Sequence, residues 1–287
     1  MLEFSIPDSK GTRLLNYLLL ELIKSNPTIF YDDFIITSTY GAMDGCTWNG
    51  GRELLGILSE QDCKEILNFY NSHQVSYRYT FTNKFLDKRD FYDRYCNMLL
   101  RINTFQNGVT YNKKNIKKFI KRKYPGYYFV SSCTRNIKDI KQVNKISKKE
   151  LIVLDFKLNN TSDIGKIKYP HNIEMVVNEQ CMARCPFREI HYSMMAKNNL
   201  FIAGNKFSLN PLCERKKGTY ESAIKKQSHY ISRQRAKEYA ELGINKFKIV
   251  GRDNTRADLA LMGYLDYLVK PEYQKVFIEL CRENNII

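Results

Sequence analysis

The chain has 287 residues, 43% of them hydrophobic, which suits one α/β domain of the roughly 250-residue class with a sizeable core. Forty-six Lys and Arg against 30 Asp and Glu give a net charge of +16 and a pI near 9.4, a balance that attracts anionic partners such as nucleic acid. No run approaches the roughly 20 apolar residues needed to cross a bilayer, and MLEFSIPDSKG lacks the basic start and apolar run of a secretory signal, so the expected location is cytoplasmic, without membrane contact.

In chain order, the apolar stretch from Leu14 to Ile23, interrupted by Asn16 and Glu21, reads as a buried helix. Strand candidates follow at Phe34 to Thr39, Val75 to Phe81, Gly108 to Tyr111 and Tyr127 to Ser132. They continue at Leu151 to Leu154, Ile173 to Val177, His229 to Ile231 and Lys246 to Val250. Several are near-continuous apolar runs bounded by polar residues, as in parallel strands covered on both faces. Helical periodicity fills the gaps at Ser59 to Ser72, Lys88 to Asn103, Lys113 to Lys123 and Ile137 to Lys145. It returns at Arg233 to Leu242, Arg256 to Tyr267 and Glu272 to Glu283. Ser59 and Ser232 have the position of N-caps, and Gly243 that of a C′ glycine. The basic run KKNIKKFIKRK carries Ile116, Phe119 and Ile120 at helical spacing, so its lysines read as a solvated helix face; the lysine excess as a whole also matches AT-rich codon usage. Eight strands alternating with helices predict a (β/α)8 TIM-like barrel, residues 1–287 as a single domain, with a doubly wound open sheet as the rival.

In such a barrel the chemistry belongs at the carboxyl ends of the strands. Tyr40, Asp155, Glu179 and Arg252 stand just past predicted strand ends and are candidate substrate contacts. The chain has eight cysteines and no signal peptide, which argues against a disulfide framework. Cys63, Cys96 and Cys281 lie in helical patterns and read as packing. NEQCMARCPFREIHY, residues 178–192, sets Cys181 and Cys185 four apart, a spacing that aims two soft thiolates at one metal. Pro186 limits a helix here, and Arg184 and Arg188 are expected to lower the thiol pKa values. Cys213 is the third candidate ligand, with Cys46 or Cys133 as the fourth and His191 as an outside alternative; zinc would accept the same thiolates. A radical S-adenosylmethionine motif is excluded, because Arg188 occupies the position of its third cysteine.

The segments NEQCMARCPFREIHY, ELGINKFKIVGRDNTRADLALMGYLDYL (residues 241–268), WNGGR (48–52) and NGVTYN (107–112) resemble the U32 family of collagenase-like peptidases of unassigned mechanism, in a divergent branch. The resemblance implies a TIM-like barrel. By its relatives in oxygen-independent ubiquinone and tRNA hydroxylation, it also implies a four-iron four-sulfur cluster as cofactor. Carried over by position, the resemblance makes Cys181, Cys185 and Cys213 cluster ligands, leaves the fourth between Cys46 and Cys133, and places Arg252 in the strand-end motif of the family. The expected function is a cluster-dependent, hydroxylation-type modification of a small-molecule or RNA substrate. A peptidase acting on peptides and a non-catalytic, cluster-binding subunit of a hetero-complex are the alternatives. With four His in the chain and only His191 near the expected site, no nucleophile–His–Asp set supports the peptidase directly.

Overall fold

The structure is a computed structural model that describes residues 1–52, 54–200, 219–251 and 256–287. Its sheet consists of β1 (Leu2–Pro7), β2 (Phe34–Gly41), β3 (Ser76–Phe81), β4 (Gly108–Tyr111), β5 (Tyr128–Ser131), β6 (Leu151–Val153), β7 (Ile173–Val176) and β8 (Lys246–Lys248). Neighbours in sequence pair in parallel, and β1 closes on β8, so the eight strands form a closed barrel. The helices α1 (Arg13–Ser25), α2 (Glu60–Ser72), α3 (Arg94–Arg101), α4 (Lys114–Lys123) and α5 (Ile140–Ser147) follow the first five strands in turn. Only short 3-10 turns join β6 to β7; α6 (Arg188–Leu200) and α7 (Arg233–Glu241) lie between β7 and β8, and α8 (Asp258–Tyr267) and α9 (Gln274–Glu283) follow β8. The expected (β/α)8 TIM-like barrel is the observed fold. Among the described residues no helix is long and apolar enough to cross a membrane.

Two expectations are corrected. The segment His229 to Ile231 is not a strand: Tyr230 N–H closes a local turn on the carbonyl of Gln227, and Ile231 N–H donates to the carbonyl of Val177, before Ser232 caps α7. The strand that completes the eight is LEFSIP at the amino terminus, which pairs on both edges, with β2 and β8. The carbonyls of His229, Tyr230 and Ile231 accept from the side chains of Asn159, Asn160 and Tyr267, so they are not offered to a ladder.

The local chemistry of the ends follows the sequence closely. Ser59 and Asp62 form a reciprocal capping box at α2, and the Ser232 hydroxyl accepts from the amide of Arg235. Gly243 ends α7 with φ of 87°, a left-handed conformation that glycine adopts without strain. On α4 only Ile116 and Ile120 are buried, so the basic run is an outer helix face as its spacing predicts.

Strand parity decides what enters the barrel. On β3 the tyrosines Tyr77 and Tyr79 turn outwards, where Tyr77 packs against Tyr70 of α2 and Tyr79 donates to the carbonyl of Leu99 on α3. The alternate residue Arg78 turns inwards and reaches across to Glu174 on β7. Ser5 of β1 donates to the same carboxylate and shares a hydrogen bond with Ser38 of β2. The interior is therefore polar on the β1–β4 side, and a compact apolar cluster of Val130, Val153, Phe156, Val176 and Val250 fills the other. At the β1–β2 contact the backbones pass so closely that a Cβ on Gly41 would lie 2.5 Å from the carbonyl oxygen of Asp8.

Candidate active site at the barrel mouth

Above the polar interior, at the carboxyl ends of the strands, opens a small cleft of about 100 Å³. Hydroxyls of Thr80 and Thr110 line its walls, with Cys133 and Cys181 on one side and Lys248 of β8 below. The first turns of α6 supply Arg188, His191 and Tyr192.

Asp155 stands at the end of β6, as its place in the sequence indicates, but it is committed to the protein. Its two carboxylate oxygens accept from Nη1 of Arg188 at 3.1 and 3.0 Å, and Oδ1 also accepts from the amide of Lys157. The guanidinium lies 4.3 Å from the centroid of the Phe156 ring. This buried pair ties the first residue of α6 to the end of β6, so Asp155 positions the helix that roofs the cleft. Tyr40 lines the cleft; its hydroxyl donates to the carbonyl of Ile249 at 2.8 Å, and the ammonium of Lys248 sits 3.3 Å from the centroid of its ring. That is close cation–π geometry, and it holds the lysine against the wall. Glu179 also lines the cleft and accepts from the amide of Cys181 at 3.0 Å, while Nε2 of His229 donates to the Glu179 carbonyl. Burial depresses the pKa of His229, which favours the neutral ring that this single donation requires. Arg252 lies outside the described residues.

The segment from Cys181 to Phe187 is a turn, closed by the Cys185 amide on the carbonyl of Met182, and α6 begins only after Pro186. The turn carries Cys181 and Cys185 on the same short segment, near enough that a charge on one thiol disfavours a charge on the other. Burial and then the neighbouring charges of Glu179 and Cys185 push the Cys181 thiol up to about 12, against a smaller lowering by Arg188. The expected activation by Arg184 and Arg188 is thus corrected: Arg184 is exposed, and Arg188 is bound to Asp155. Cys133 is half-buried in the cleft, and burial raises its thiol pKa as well.

Cys46 requires a further correction. It is fully buried in the hydrophobic core, its sulfur 3.5 Å from that of Cys96, and it does not line the cleft. The loop after β2 turns Cys46 and Trp48 inwards together, and Trp48 packs edge-on against Phe81 and Phe91. Cys63, Cys96 and Cys281 are buried as packing residues, in line with their helical patterns. Cys213 lies outside the described residues, and among those described no group of three His, Cys, Asp or Glu side chains converges as a metal would need.

Sequence reasoning missed Lys248, Thr80, Thr110 and the Arg78–Glu174 pair. Their signal was present in the two-residue parity of SYRYTF and KFKIV, where Arg78 and Lys248 alternate with outward-facing apolar side chains.

No protein-family model matches the chain, and no curated protein matches it. Among solved structures it is similar to one described as that of the U32 peptidase Mk0906, with a TM-score of 0.55 over 88% of this chain and 94% of that one, at 10% identity. At that identity the likeness is one of fold.

Proposed function

We propose that the chain is a barrel enzyme related to the U32 peptidases, acting at the cleft above its strands. In this reading an iron–sulfur cluster is held at the rim by Cys181, Cys185 and Cys213, and an organic or RNA substrate is modified without oxygen. The observation that supports it is that Cys181 and Cys133 both line the cleft, with Cys185 on the same short turn as Cys181. Two adjacent sulfurs suit a soft metal centre at two of its positions. Cys133 shares the cleft and is the candidate fourth ligand in place of Cys46. A bound cluster would supply an electron-transfer centre or an open iron at the rim.

The roles of the protein's own groups follow from their places. Glu179 is the carboxylate of the cleft lining and is placed to take or give a proton. Tyr40 holds Lys248 in the wall, and Asp155 holds Arg188 there, so both cations face a bound substrate.

Anaerobic purification with iron and acid-labile sulfide analysis tests this reading. Wild type is expected to carry both elements, and Cys185→Ser to lose about half or more of the iron through removal of a thiolate ligand. The fold likeness to a U32 peptidase supports a second reading, a metal-dependent peptidase. Zinc as the bound metal, with casein cleavage abolished by chelation, would favour that alternative.

A further inference from the structure

Two residues in the wall of the cleft carry buried donors without an acceptor. Thr110 of β4 is 3% exposed, and its Oγ1 has no hydrogen-bond partner. Arg188 is 5% exposed; Nη1 is bound to Asp155, while Nε and Nη2 have no hydrogen-bond partner. Buried donors are almost always paired, so two such residues lining one cleft call for an acceptor that arrives from outside. Lys248, 8% exposed, adds an ammonium to the same lining.

The nearby carboxylates do not meet this demand. Asp155 already engages Arg188 through Nη1. Glu174 lies one inward-facing position below the cleft residue Val176, with its Oε1 taken by Ser5 and Arg78. Its Oε2 has no partner, but Glu174 does not line the cleft. Glu179 lines it, with Oε1 accepting from the Cys181 amide. The described lining holds Arg52, Arg188 and Lys248 beside Glu179, with Arg52 and Lys248 each engaged in interactions of their own. A wall of cations and donors selects an oxyanion over a neutral or cationic group.

We propose that the barrel mouth binds an oxyanion group of the substrate, a carboxylate or a phosphate, with Arg188, Lys248 and Thr110 as its donors. This rests on the reading of the cleft as the active site and is independent of the cluster. Arg188 supplies the planar guanidinium edge left over from its bond to Asp155, Lys248 a point charge held by Tyr40, and Thr110 a hydroxyl.

Isothermal titration of the full chain, purified anaerobically and held at low ionic strength, tests it with inorganic phosphate in one arm and succinate in the other. Saturable binding is expected in at least one arm, and the tighter arm names the group. Lys248→Met is expected to weaken that binding about tenfold and Thr110→Val about threefold, as befits a charge-assisted and a neutral hydrogen bond. Thermal unfolding checks that each variant is folded, and Thr110→Val, which preserves side-chain shape, decides the matter if Lys248→Met is not. No saturable binding in either arm, or unchanged affinity in the folded variants, overturns the proposal. Cys185→Ser separates it from the cluster reading: anion binding should persist in that variant while iron falls. Iron in wild type without anion binding sinks this inference alone, and anion binding without iron sinks the cluster alone.

Discussion

Arg78 and Glu174 place opposite charges inside the barrel, with side chains only 6% and 1% exposed. Burial raises the Glu174 pKa, but the charges of Arg78 and Lys248 and the bonds from Ser5 and Arg78 outweigh it and hold the carboxyl below its ordinary value. Removing one partner strands the other, so Glu174→Ala is expected to cost about 3–5 kcal/mol in urea unfolding. The double variant Arg78→Met with Glu174→Leu should recover much of that loss, since a buried ion pair is often replaceable by apolar residues of similar volume. A single variant as stable as wild type would show that the pair is not buried as described. Residues of this kind were the least legible in sequence. Lys248 and Arg78 sit in runs whose apolar character points to doubly covered strands, and only the alternation within each run shows that they turn inwards. Asp155 and Tyr40 were legible as cleft-side residues, but not their use as supports for Arg188 and Lys248. The break before α6 was legible from Pro186, since the segment is a turn closed by the Cys185 amide on Met182 and the helix begins only after it. Cys46 was misjudged because a position just past a strand end does not fix which way the loop turns its side chain.

At the scale of elements, caps and periodicity carried over almost unchanged. The capping box on α2 satisfies amides at the helix start, and Ser59→Ala is expected to lower stability by about 1 kcal/mol, read as a shift in urea midpoint. A different device fastens α7: Arg233 and Lys237 both pair with Asp33, just before β2. Burial pushes the Asp33 pKa up, but the bonds from Arg233 and Lys237 prevail and hold it at about 2. An unfolded aspartate titrates near 3.9, so this group contributes stability above that pH and loses its contribution as pH falls towards 2. Asp33→Asn should therefore be less stable than wild type near neutrality, with the gap closing between about pH 4 and 2. Because the site is partly exposed, the gap should be modest and should shrink in high salt. A gap that widens on acidification would contradict the assignment. The amino-terminal strand was missed because LEFSIP stands before a turn of Pro, Asp, Ser and Gly with no element ahead of it to set the alternation. The strand expected at His229 to Ile231 failed because side chains of Asn159, Asn160 and Tyr267 occupy its three carbonyls.

The chain forms a closed parallel barrel, and seven of its eight strands were legible from the alternation of apolar runs and helical periods. Its likeness to the U32 peptidase Mk0906 lies in the barrel and not in the sequence, at 10% identity, so the reaction has to be argued from the mouth. There the chain brings together Arg52, Arg188, Lys248, Glu179, Cys133 and Cys181 in the lining of one cleft. The net charge of +16 is spread in part along the outer face of α4, away from the hydrophobic seam of Ile116 and Ile120. If RNA is the substrate, tRNA should co-purify at low salt and be released as salt rises.

The most direct test of the thiolate centre compares Cys213→Ser with Cys46→Ser, each purified without oxygen and assayed for iron and sulfide. The account predicts that Cys213→Ser loses about half or more of the iron, as expected for a ligand, while Cys46→Ser, altered in the core beside Cys96, keeps the wild-type content. Equal iron in both variants, or none in the wild type, would contradict it.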